Sequence, residues 1–102
     1  MKPRINLTDG SGMWFNPEKA QSFEEATWFN GHNHVSVVTS DQFAHEKLFL
    51  TATGRWVLKA WSQWQGSRDS YRMIDDEAAA RWLSINRHVH PKLAERIALM
   101  EV

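Results

Sequence analysis

On both sides of Gly54, apolar and polar positions alternate: Leu48 and Leu50 precede it, and Trp56 and Leu58 follow. A period of two marks a half-buried strand, and a glycine between two such runs marks a hairpin. A loop of Ala52-Thr53-Gly54, with the glycine left-handed, sets Leu50 against Trp56 and Leu48 against Leu58. A loop shorter by one residue would set Leu48 against Lys59. The first register is expected, because it gathers Leu48, Leu50, Trp56 and Leu58 on one buried face, although it also places Lys47 opposite Lys59.

The remaining pattern divides into short segments. Ile5 to Leu7 and Met13 to Phe15 flank Thr8-Asp9-Gly10-Ser11-Gly12, a run suited to tight turns, and predict a small hairpin. Asn16-Pro17-Glu18 carries helix-start chemistry. A helix is predicted there, with Ala20, Phe23 and Ala26 or Thr27 on one face and a stop at Asn30-Gly31. His34 to Thr39 is β-branched and predicts a strand, and Tyr71 to Ile74 predicts another after the polar loop from Gln65 to Ser70. Asp75 is a helix cap, followed by Asp76, Glu77 and the apolar face Ala79, Trp82, Leu83. Pro91 opens a last helix in which Leu93, Ile97 and Met100 recur at helical spacing. The expected fold is therefore one α+β domain spanning residues 1–102. It is a small antiparallel sheet with a central hairpin at about 46–64, packed against two or three helices.

Composition narrows the chemistry. A chain of 102 residues has room for one core. It has no cysteine, which excludes disulfides, thiolate metal sites and thiol nucleophiles. Twelve basic residues balance twelve acidic ones, so the positive footprint of a duplex-DNA binder is missing and nucleic acid is not the expected partner. The first residues lack an apolar leader core and no stretch is apolar for long enough to span a membrane, so a cytoplasmic location without membrane contact is expected.

Three constellations bear on function. His32 and His34, and His88 and His90, form two His-x-His pairs, whose spacing on a strand points both imidazoles to one side and could present them to a metal ion. Nucleophilic catalysis needs a hydroxyl beside a base, and neither Gly10-Ser11-Gly12 nor Gly66-Ser67 has the flanking pattern. No glycine-rich phosphate loop occurs, so no cofactor is expected. Asp75-Asp76-Glu77 and Glu24-Glu25 read as helix-terminal and solvated charge.

The third constellation is aromatic. The chain has six tryptophans, and strand parity turns Trp61 to the face opposite Trp56 and Trp64. An indole on the less buried face, flanked by Arg55, Lys59, Gln63 and Arg68, suits a partner-binding surface of Arg55, Lys59, Trp61, Gln63, Trp64 and Arg68. These features point away from an enzyme. They point to a noncatalytic protein-binding accessory protein of bacterial or phage type that inhibits or regulates a larger partner. A His-x-His metal site with hydrolytic activity, and a stacking platform for single-stranded nucleic acid, are the alternatives. The stripe Leu93, Ile97, Met100 allows a homodimer through the C-terminal helix.

Overall fold

The computed structural model describes residues 4–29, 31, 34–39, 44–63, 66 and 68–102. The strands are β1 (Ile5–Asn6), β2 (Trp14–Phe15), β3 (Gln21–Glu24), β4 (Thr27–Phe29), β5 (His34–Ser36), β6 (Ala44–Leu50), β7 (Trp56–Ser62) and β8 (Ser70–Ile74). The helices are α1 (Asp76–Ile85) and α2 (Ala94–Ala98). Of the described residues, 37% are strand and 24% helix. Two short α-helices accompany a four-stranded sheet and two separate two-stranded ribbons. This overturns the expected α+β plan of one small sheet against two or three helices: the fold is sheet-rich.

The difference arises between Pro17 and Gly31. Asn16 does cap, its Oδ1 accepting from the Glu18 amide at 2.9 Å, but only a three-residue 3₁₀ turn follows. Gln21–Glu24 then pairs with β6, and Thr27–Phe29 with β5. Pairing with β6 buries Phe23 opposite Leu48 and satisfies backbone groups along an edge that would otherwise be open. Thr27, Trp28 and Phe29 are themselves strand formers. Tertiary pairing outweighed a capping signal worth about 1 kcal/mol.

The central sheet runs β3-β6-β7-β8, antiparallel throughout. In the β6–β7 hairpin, Leu50 faces Trp56, Leu48 faces Leu58 and Lys47 faces Lys59. Thr51 and Arg55 close the loop with an amide-to-carbonyl bond of 2.8 Å, and Gly54 occupies the left-handed region at φ 83°. A side chain at Gly54 would also crowd the Lys92 ammonium, which donates to the Gly54 carbonyl at 2.6 Å.

Each face of this sheet carries its own core. On one face Phe23, Leu48, Trp56 and Leu58 meet Ala79, Ala80, Trp82 and Leu83 of α1, together with Leu93. On the other, Phe49 and Val57 meet Leu7 and Phe15 of the β1–β2 ribbon. The rings of Phe15 and Phe49 are 5.1 Å apart. Asp75 caps α1, its Oδ1 accepting from the Ala78 amide at 2.8 Å. Leu93 is buried, and Ile97 and Met100 pack against the α1 core, so this apolar stripe is used within the chain.

The sheet edges are closed by polar contacts. Along β8, the Thr8 amide donates to the Tyr71 carbonyl, the Tyr71 amide donates to the Thr8 hydroxyl, and the Met73 amide donates to Asp9. Beside β3, His88 Nε2 reaches the Glu24 carbonyl, and the Ala26 amide donates to Asn86. Among the described residues no helix is long and apolar enough to cross a membrane.

Candidate functional site

The surface expected at the open end of the hairpin is divided by the structure. Lys59 and Trp61 come together, the ammonium 4.9 Å from the indole centroid, and Lys59 also pairs with Asp69 at 3.5 Å. Trp61 is half-buried beside His45, its partner across the ladder, with ring centroids 5.6 Å apart. Gln63 and Arg68 are exposed, and Trp64 lies outside the described residues. Arg55 stands at the other end of the seven-residue β7, about 20 Å away at ~3.3 Å per residue.

Beneath Trp61 lies a polar cluster that the sequence did not suggest. Glu25 lies between β3 and β4, its side chain only 8% exposed. Its Oε1 lies 2.5 Å from His45 Nδ1, and its Oε2 accepts from the Ser36 hydroxyl at 2.7 Å and the Glu46 amide at 2.8 Å. Serine, carboxylate and imidazole are therefore joined in the wrong order for nucleophile activation. The hydroxyl donates to the carboxylate and not to the ring, and Ser36 is wholly buried. His45 Nε2 is buried and has no hydrogen-bond partner among the described residues. The cluster ties β5, β6 and the β3–β4 turn together.

The histidine pairs serve the fold where they are described. His88 stacks on Trp82 and reaches the Glu24 carbonyl at 2.6 Å. His90 Nδ1 accepts from the Lys92 amide at 3.1 Å and its ring meets Phe23 and Trp56 edge-on. His34 packs on Phe29, and His32 lies outside the described residues. Among the described residues no group of three His, Asp or Glu side chains is placed to hold a metal.

Among the described residues, the most exposed indoles are elsewhere. Trp56 and Trp82 are core residues, whereas Trp14 is 55% and Trp28 53% exposed. Trp28 and Phe29 project from the β4–β5 ribbon. Trp14 and Met13 project from the β1–β2 ribbon, at the rim of an open groove of about 1570 Å³ between that ribbon and the hairpin loop Thr51–Thr53. Among the described residues, Arg4, Lys19 and Arg55 line this groove with a single carboxylate, Glu18. The Arg4 guanidinium lies 4.9 Å from the Trp14 ring centroid and is steered by its Nε bond to Asn6 Oδ1.

Alternation explains why Trp14 is outside. β2 turns Phe15 onto Phe49 and therefore Trp14 away from the sheet. On a strand, neighbouring Trp14 and Phe15 must face opposite sides, so only one of the two rings can pack on the sheet. Which one depended on the face the ribbon lays on the sheet, and nothing local encodes that.

The chain matches no family model, and no curated protein or solved structure shows a significant similarity to it.

Proposed function

We propose that this chain is a noncatalytic binding module that recognises a protein partner through the groove between the β1–β2 ribbon and the hairpin loop. The observation that carries this reading is Trp14, more than half exposed on a strand whose neighbour Phe15 is buried. A small domain gains nothing in stability from an indole held in water. Together with Met13 and arginine, it is the chemistry that dominates interface energetics. Among the described residues, the Glu25 cluster joins its serine hydroxyl to the carboxylate and not to the ring, an arrangement that suits a structural network. A module of this kind acts on a larger partner by occupying its surface, which is the accessory, regulatory role. A cytoplasmic setting accords with a chain that needs no disulfide.

The test is affinity measurement on a purified partner from the source organism, comparing wild type with Trp14→Ala and Trp61→Ala, each checked for an unchanged melting profile. The expected result is a loss of about tenfold or more for Trp14→Ala, as for a central interface anchor, and little change for Trp61→Ala. Equal affinity of Trp14→Ala and wild type would remove this surface from consideration, and a loss confined to Trp61→Ala would move the site to the opposite end of the hairpin.

A further inference from the structure

We infer that the groove takes an extended, acidic segment of a partner protein; the inference rests on reading the groove as a protein-recognition surface. Among the described residues, three cations, Arg4, Lys19 and Arg55, face it against one carboxylate, Glu18, in a chain whose formal net charge is zero. Elsewhere Lys47, Lys59 and Arg96 are each paired with a carboxylate. Among the described residues none of the three groove cations has such a partner. Among the described residues, the Arg4 guanidinium makes one hydrogen bond, from Nε to Asn6, and that of Arg55 one contact, with the Met73 sulfur at 3.9 Å. Guanidinium groups with free N–H faces are built to bind carboxylates in pairs of parallel bonds.

The shape supports a chain in extended conformation. At about 1570 Å³ and open to solvent, the groove exceeds the roughly 300–1,000 Å³ typical of enclosed small-molecule sites. Its apolar stretch, Met13 and Trp14, can seat one aliphatic or aromatic side chain between flanking acids. A single-stranded nucleic acid fits less well. Stacking platforms offer successive bare rings, whereas Phe15 is buried and Arg4 already lies over the Trp14 ring. A carboxylate can bind Arg4 without lifting it from that ring.

The experiment is selection from a displayed library of random short peptides against immobilised full-length protein. Anisotropy titration of the enriched peptides and of labelled oligothymidine follows, at low and high salt. Wild type should enrich peptides rich in aspartate and glutamate, with affinity that falls as salt rises. Arg4→Glu combined with Arg55→Glu should weaken them by about tenfold or more, while Arg81→Glu on α1, across the sheet, leaves them unchanged. Should the double variant melt early, Arg55→Glu alone carries the comparison. Enriched peptides without acidic residues, indifference to both charge reversals, no enrichment, or binding of oligothymidine alone overturns the inference. If Trp14→Ala still loses the natural partner in such a case, the protein-recognition reading stands and only the acidic segment falls. If Trp14→Ala keeps that partner as well, both fall.

Discussion

The two ends of the β6–β7 hairpin carry similar residues and treat them differently. At the open end, polar groups are answered from within the chain: His45 by Glu25, Lys47 by Glu24, Lys59 by Asp69, with Trp61 tucked against His45. At the loop end, Arg4, Lys19 and Arg55 surround a groove with one carboxylate among the described residues, and Trp14 is more than half exposed. An aromatic side chain beside a cation is thus no mark of a binding surface by itself. What separates the two ends is whether the polar groups around the ring already have partners, because a satisfied network holds the fold and gains little from a ligand.

The comparison breaks most readily at Glu25. Glu25→Ala removes a buried acceptor of three hydrogen bonds and strands His45, Ser36 and the Glu46 amide. A loss of about 3–4 kcal/mol is expected in urea unfolding. A loss under about 1 kcal/mol would show that the open end is not held by its internal network.

On β2, adjacent residues should part company. Phe15→Ala opens a cavity in the Phe49–Val57 core and is expected to cost about 3 kcal/mol. Trp14→Ala should stay within about 1 kcal/mol of wild type in the same measurement, since its ring is mostly solvated. Similar losses for the two would mean that Trp14 is structural.

Asp9 gives a test by pH. Its carboxyl is held below the ordinary 3.8, chiefly by its hydrogen bonds to Ser11 and also by the Met73 amide. A depressed folded-state value contributes stability that is fully present above the unfolded value and lost as pH falls through the folded one. Between pH 6 and pH 3, the urea midpoint of wild type should therefore fall further than that of Asp9→Asn. Parallel falls would show that Asp9 does not fasten the first hairpin to β8.

The smallest effect is expected at Lys59. Lys59→Met removes a surface ion pair with Asp69 and a cation–ring contact, and should change stability by less than about 1 kcal/mol. A larger loss would place more of the open end's stability in that contact than in the Glu25 network.

Much of the local structure was legible. Alternation about Gly54 defined the hairpin register, Asp75 announced α1, and the turn residues from Thr8 to Gly12 announced the β1–β2 ribbon. Each signal lies within a few residues of the structure it specifies, which is why it can be read. The segment from Pro17 to Gly31 misled, because its capping chemistry is local while its strand pairing with β6 is made across more than twenty intervening positions. The candidate groove was legible only in pieces. Arg55 stood out as one of the polar residues flanking Trp61, and Arg4, Lys19 and Trp14 did not, since the turn that brings them to the hairpin loop is set by Phe15 finding Phe49.

By itself the amino-acid order determined which residues pair around each tight turn, where α1 starts, and that an aromatic surplus needed an explanation. Only the tertiary structure decided that the sheet has two covered faces, that Trp56 and Trp82 are interior while Trp14 is not, and that Glu25 serves His45 and Ser36. The reason is physical. Turn and cap energies depend on neighbours along the chain, whereas burial and charge pairing depend on which distant surfaces exclude water from one another.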